Sequence, residues 1–190
     1  MLFNLKVSAL VPIKDHSERV TGKNFKDFCG KPLYHHIIET LDKTYAIDEI
    51  IINTDSPRVI EEAPTLSPKV KIHKRPAELQ GDFVSTNKIF AYDLENSDSD
   101  IYLQTHSTNP LLKAETLANG LKHFYEHDEF DSLFSVTEYR SRFYSQDLKA
   151  INHEPSELIR TQDLPPLYEE NSCLYIFTPE SFKKTSARIG

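Results

Sequence analysis

Cysteine is scarce in this chain, with only Cys29 and Cys173 among 190 residues. Two thiols make neither a disulfide framework nor a zinc-binding set, and they suit a reducing cytoplasm. Long apolar runs are missing too. None approaches the roughly 20 residues of a membrane span, and the amino terminus carries no secretory pattern, so no membrane partner is expected. A basic excess is absent as well: 22 Lys and Arg against 29 Asp and Glu leave a net charge of −7. That balance argues against nucleic acid as a partner, since a nucleic-acid binder normally shows a basic face or stripe. A nucleotide enzyme stays open, because its cations need only gather at one site. There is no GxxxxGK[ST] phosphate loop, no internal repeat, no linker and no low-complexity tract.

What is present is ordinary globular composition, 38% hydrophobic and 27% charged, in a length that fits one domain with a real core. The most informative stretch is VSALVPIKDHSERVTGKN, from Val7 to Asn24. Its apolar opening reads as a buried strand. It then turns polar at once and carries Lys14, Arg19 and Lys23, with Gly22 supplying backbone freedom before Lys23. A buried strand feeding a basic loop is what an α/β protein uses to hold phosphates at a strand's carboxyl end. A surface loop that is merely basic has the same residues.

Farther on, Gly30 closes a turn and Pro32 suits a helix start, with Leu33, Ile37, Ile38 and Leu41 as the helix's apolar face. His35 and His36 are adjacent, so they point to different sides and make no metal pair. Strands are expected at 47–54, 70–73, 100–105, 132–139 and 174–177, and helices after 57, over 86–94, over 114–125 and from Pro179. Asp55 is a candidate cap for the helix near Pro57. The segment 140–153 leaves this alternation and carries Arg140, Arg142, Phe143, Tyr144 and Lys149. Strands alternating with helices indicate a largely parallel sheet.

Several blocks resemble the CMP-sialic acid synthetases (acylneuraminate cytidylyltransferases). In VPIKDHSERVTGKN, Ser17, Gly22, Lys23 and Asn24 match that family's first motif. Lys14 stands for its arginine, and Ser17-Glu18, with Arg19 beside it, for its Ser-Lys. Asn53-Thr54-Asp55 is similar to its Ser-Thr-Asp. The block from Arg75-Pro76 through Leu79, Asp82 and Ser85-Thr86 resembles its second motif. His106 to Leu111 aligns with its Gln-Pro-Thr-Ser-Pro-Leu. Arg160-Thr161-Gln162-Asp163-Leu164-Pro165 resembles Arg-Arg-Gln-Asp-Leu-Pro, with Thr161 replacing the second arginine. The charge reversal at Glu18 and the lysine at 14 mark a divergent branch.

The resemblance implies an α/β Rossmann-like nucleotidyltransferase fold, a mainly parallel sheet with helices on both faces and a projecting dimerisation arm at about 140–168. It also implies a single domain over 1–190, a homodimer, and a cytoplasmic enzyme that transfers CMP from CTP to a sialic-acid-like (nonulosonic) sugar acid. Lys14 and Lys23 would act on the leaving pyrophosphate. Ser17, Arg19, Asn24, Arg75 and Thr86 would bind the nucleotide, and His106 and Arg160 the acceptor. His106 has a second option, titration near neutrality. Mg²⁺ is the implied cofactor, with ligands unknown: the family's Asp-x-Asp pair does not occur before Gly190, as in a fragment of such a domain. Another base or acceptor, and an inactive nucleotide-binding homologue, remain alternatives. A glycosyltransferase would need a mid-chain Asp-x-Asp after a strand, whereas Asp98-Ser99-Asp100 precedes one.

Overall fold

The computed structural model describes residues 5–17 and 20–190. Its central strand is β1 (Val7–Ile13). There follow a small hairpin of β2 (Asp27–Phe28) and β3 (Lys31–Pro32), then α1 (Leu33–Lys43), β4 (Glu49–Thr54), α2 (Pro57–Glu62) and β5 (Val70–Lys74). Helix α3 (Thr86–Glu95), β6 (Ile101–Gln104), α4 (Ala114–Glu126), β7 (Ser132–Tyr139), β8 (Leu167–Phe177) and α5 (Pro179–Thr185) complete the order. Six strands make one sheet, β5-β4-β1-β6-β8-β7. The first four of that order are parallel, and β8 runs antiparallel to β6. The chain winds from β1 outward through β4 and β5, then returns to the other side of β1 as β6. Such a reversal leaves a crevice at the carboxyl ends of the two strands that flank it, here β1 and β6.

Side chains alternate across a strand, so β1 feeds two cores. Val7, Ala9, Val11 and Ile13 face one side, covered by Ile37, Ile38 and Leu41 of α1, Val59 of α2, and Leu117 and Leu121 of α4. Leu10 faces the other with Ile51, Tyr102 and Tyr175, under Phe90 of α3 and Phe182 of α5. Helices therefore cover both faces, as the resemblance implies. Each of the buried Val, Leu and Ile side chains contributes roughly 1.5–3 kcal/mol.

The departures from the sequence reading are local. On α1 the fourth buried position is Tyr34 rather than Leu33, which is only half-buried. Tyr34 has the i+3, i+4 and i+7 relation to Ile37, Ile38 and Leu41 that puts residues on one face. Its hydroxyl also donates to Glu62 at 2.9 Å. Strand β4 begins at Glu49 instead of 47, and β8 begins at Leu167 instead of 174. Asp55 does not cap α2, whose N-cap is Ser56; it accepts from the Asp15 backbone N–H at 2.9 Å instead. The turn at Gly30 is as expected. Cys29 and Gly30 both have positive φ (52° and 87°), as a two-residue I′ hairpin loop requires.

The chain divides into two compact units, Met1–Phe134 with Cys173–Gly190, and Ser135–Ser172. The expected arm at 140–168 falls inside the second. That unit is organised by buried Asn152, whose Nδ2 donates to the carbonyls of Ser141 and Pro165 and whose Oδ1 accepts from the Phe143 N–H. Among the described residues no helix is long and apolar enough to cross a membrane.

Candidate active site

The register of the sheet decides which residues meet. Pro12 pairs with Asn53, Asn53 with His73, and Leu10 with Gln104. Counting onward by twos keeps one face, so Lys14, Asn53, His73, Arg75, Gln104 and His106 all belong to the face under α3. They lie where the strands end, and a cleft of about 400 Å³ opens there. Its lining joins the loop after β1 (Lys14, His16, Ser17, Lys23, Asn24), the start of α3 (Thr86), Arg75 and the loop after β6 (His106 to Thr108). Of the sequence-selected residues, Lys14, Ser17, Lys23, Asn24, Arg75, Thr86 and His106 thus share one cavity. Arg19 and Glu18 lie outside the described residues.

The two lysines differ in what holds them. Lys14 Nζ donates to the Gly81 carbonyl and pairs with Asp82, each at 3.0 Å. Lys23 follows Gly22, whose left-handed φ of 61° turns the chain into a short 3-10 segment, and its ammonium has no ion pair among the described residues. Asn24 is buried and braces the two loops that form the walls. Its Nδ2 donates to the Lys14 carbonyl at 3.1 Å, and its Oδ1 accepts from Ser107 Oγ at 2.8 Å. Thr86 opens α3, where the Lys88 N–H already donates to the Ser85 carbonyl at 3.0 Å.

Arg75 forms the floor and is 4% exposed. Its Nε donates to Asn53 Oδ1 at 2.8 Å, and its Nη2 to the Asn53 carbonyl at 2.7 Å and the Ile13 carbonyl at 3.4 Å. Its Nη1 is buried with no hydrogen-bond acceptor, 3.9 Å from Asp55. Burial pulls the guanidinium's pKa down, against the attraction of Asp55 and Asp93. An orphaned donor at the bottom of a polar cleft is suited to a ligand carbonyl or hydroxyl.

His106 receives a hydrogen bond from Gln104 Nε2, at 3.4 Å to its own Nε2, so its proton sits on Nδ1. Burial, then Arg188 and Lys23, push its pKa down to about 4. Titration near neutrality is thereby removed, and the ring is a neutral hydrogen-bonding group at pH 7. Arg188 stacks on Tyr175 at 3.8 Å and donates to Gln104 Oε1 at 2.5 Å. Arg160 belongs to the second unit, exposed and paired with Asp163 at 2.6 Å.

The residues present do not suit a protein-built metal cage. Among the described residues no group of three or more His, Cys, Asp or Glu could hold an ion, and Asp82, the carboxylate that lines the cleft, already faces Lys14. Sequence reasoning missed His16, His73, Asp93 and Arg188. The available signal for His73 was its i, i+2 relation to Arg75, which follows the same strand directly. For Asp93 it was its helical spacing from Ile89 and Phe90, an acid on an apolar face.

Comparison with protein families matches residues 8–187 to the family described as Cytidylyltransferase. A bifunctional pseudaminic acid cytidylyltransferase and UDP-2,4-diacetamido-2,4,6-trideoxy-beta-L-altropyranose hydrolase of Helicobacter pylori is 28% identical over 95% of this chain. The chain spans 36% of that protein's length. The pseudaminic acid cytidylyltransferase of Campylobacter jejuni serotype O:2 is 26% identical, with 94% of this chain and 81% of its own length covered. An N-acylneuraminate cytidylyltransferase of Streptococcus agalactiae serotype V is 27% identical over 94% of this chain and 45% of its own. Among solved structures, a CMP:2-keto-3-deoxy-manno-octonic acid synthetase complexed with CTP superposes with a TM-score of 0.71 at 16% identity, covering 95% of this chain and 77% of the other. That likeness concerns the fold. With the match running from β1 to α5, and Lys14, Ser17, Lys23, Asn24, Arg75, Thr86 and His106 lining one cleft, the chain belongs to the cytidylyltransferase family.

Proposed function

We propose that this chain transfers CMP from CTP to a nonulosonic sugar acid and releases pyrophosphate. The observation that carries the reading is the cleft itself. It gathers two lysines of the loop after β1 with a buried arginine whose Nη1 lacks a hydrogen-bond acceptor, in a chain of this family. A hydroxyl of the acceptor attacks the α-phosphorus, the bond to the bridging oxygen breaks, and pyrophosphate departs with charge growing on it. Such chemistry needs positioning and cations on the leaving group. Lys23 and Lys14 supply the cations, Ser17 and Thr86 further donors, and Arg75 Nη1 a contact to base or ribose. Arg19 would add to the leaving-group side. His106 and Arg160 would serve the acceptor, His106 as a neutral donor through Nδ1. Mg²⁺ would arrive on the triphosphate, held chiefly by phosphate oxygens. A nonulosonic acceptor is favoured because the pseudaminic and N-acylneuraminate relatives match along about the whole chain.

The test is pyrophosphate release with each of the four NTPs against pseudaminic, N-acetylneuraminic and 3-deoxy-manno-octulosonic acids. Turnover is expected with CTP and a nonulosonic acid, and calorimetry should detect CTP binding without acceptor. Preference for a purine nucleotide, or no CTP binding by folded protein, would sink the reading.

The active form would be a homodimer built through the second unit. Support comes from its composition: Tyr144, Leu148, Ile151, Leu158, Ile159 and Tyr168 are all exposed there, apolar area of the kind that interfaces cover. Light scattering should give twice the chain mass, and Leu158→Asp should halve it. A wild-type monomer at high concentration would remove the idea.

A further inference from the structure

We propose that Asp93 is a positioning residue for the nucleotide, acting through Asn53 on Arg75. The inference rests on the reading of the cleft as a CTP site. Asp93 sits on the buried face of α3 between apolar neighbours and is 1% exposed. A carboxylate there costs stability unless its oxygens are satisfied. One oxygen, Oδ1, accepts from Asn53 Nδ2 at 2.7 Å and from His73 Nδ1 at 2.8 Å.

The consequence lies in the asymmetry of the Asn53 carboxamide, which has a donor end and an acceptor end. Asp93 takes the donor end, so Oδ1 must face Arg75 Nε. Two backbone carbonyls hold Nη2. Three of the guanidinium's directions are thus fixed, and Nη1 alone is left without an acceptor in the cleft floor. Take Asp93 away and the amide is free to turn over. Its NH₂ would then meet the Nε–H, donor against donor, and the guanidinium would have to swing off its pose. His73 completes the arrangement by holding the carboxylate from the adjacent strand β5. Asp93 touches no ligand in this scheme. It sets the orientation of the group that does.

The experiment compares wild type, Asp93→Leu and Asp93→Asn for CTP affinity by calorimetry, for the KM of CTP and of acceptor, and for thermal stability. Asp93→Leu is expected to weaken CTP binding and raise its KM by about tenfold, the scale of one lost charge-assisted contact, while the KM for acceptor stays put. Asp93→Asn keeps an acceptor oxygen for Asn53 and should bring CTP affinity back to within about threefold. A merely structural role would lower the melting temperature and the active fraction and leave CTP affinity alone, and that result overturns the proposal. Should Asp93→Leu not fold, Asn53→Ser carries the same expectation: unchanged CTP affinity overturns it, and a selective rise in CTP KM supports it. Wild type that binds no CTP would overturn the parent reading and this one together, whereas tight wild-type binding shared by every variant removes this one alone.

Discussion

Lys23→Ala is expected to fold, to bind CTP within about tenfold of wild type, and to lose about 100- to 1000-fold in turnover, the cost of one preorganised transition-state contact. The structure sharpens the reason for choosing this lysine over Lys14. Asp82 and the Gly81 carbonyl already engage Lys14, so part of its charge is spoken for. Lys23 has no ion pair among the described residues and faces the same cavity. Charge on the departing pyrophosphate is larger in the transition state than in bound CTP, so an uncompensated ammonium gains most there. Single-turnover rates and CTP affinity, measured on the same preparation, separate the two effects. A drop in affinity that matches the drop in rate would mean uniform binding instead, and would remove Lys23 from the chemistry. Lys23→Arg keeps the charge but swaps a compact ammonium for a planar fork, so partial recovery is expected.

Some of this was legible in the chain and some was not, for definite reasons. Strand β1 reads cleanly because a strand buried on both faces is a continuous apolar run with a sharp polar end. Strand β7 has matching limits for a different reason, its alternation ending at Tyr139. The first half of β8 does not read as a strand, because Tyr168 to Asn171 are polar and mostly exposed and look like loop. Lys14 and Ser17 were findable because they follow β1 within a few residues, and strand ends are where an open α/β sheet gathers its site. Lys23 stood out in the basic loop that β1 feeds, and Arg75 through the family resemblance of its block.

The supporting groups behind them depend on three-dimensional facts no local pattern carries. Asn53 and His73 meet only through the β4–β5 register, and Asp93 reaches them only because α3 is rotated to bury Ile89 and Phe90. Arg188 comes from the far end of the chain to stack on Tyr175 and engage Gln104. Motif spacing contains none of that. Asn24 shows the opposite case: selected as a nucleotide ligand, it is seen bonding two protein loops together, so its matched position is explained at least in part by the architecture of the wall.

His106 should make the protein sensitive to mild acid. Its pKa is held near 4 by burial and by the cations of Arg188 and Lys23, against 6.5 for a free imidazole. As pH falls through 6.5 the unfolded chain takes up a proton at this position and the folded chain does not. The unfolded state therefore binds more protons between pH 6.5 and 4, and stability falls as pH falls across that window. Above 6.5 the group contributes no pH dependence, and below about 4 both states carry the proton and the slope ends. The full loss is roughly 3 kcal/mol, the window from 6.5 to about 4 at about 1.36 kcal/mol per pH unit. His106→Gln keeps an acceptor for Gln104 and removes the titration, so urea midpoints of the variant should fall less than those of wild type between pH 6.5 and 4.5. Comparing the two proteins cancels the carboxylates, which titrate in both. Parallel midpoint curves would show that His106 takes up its proton alike in the folded and unfolded chains, and the burial-driven lowering would be wrong.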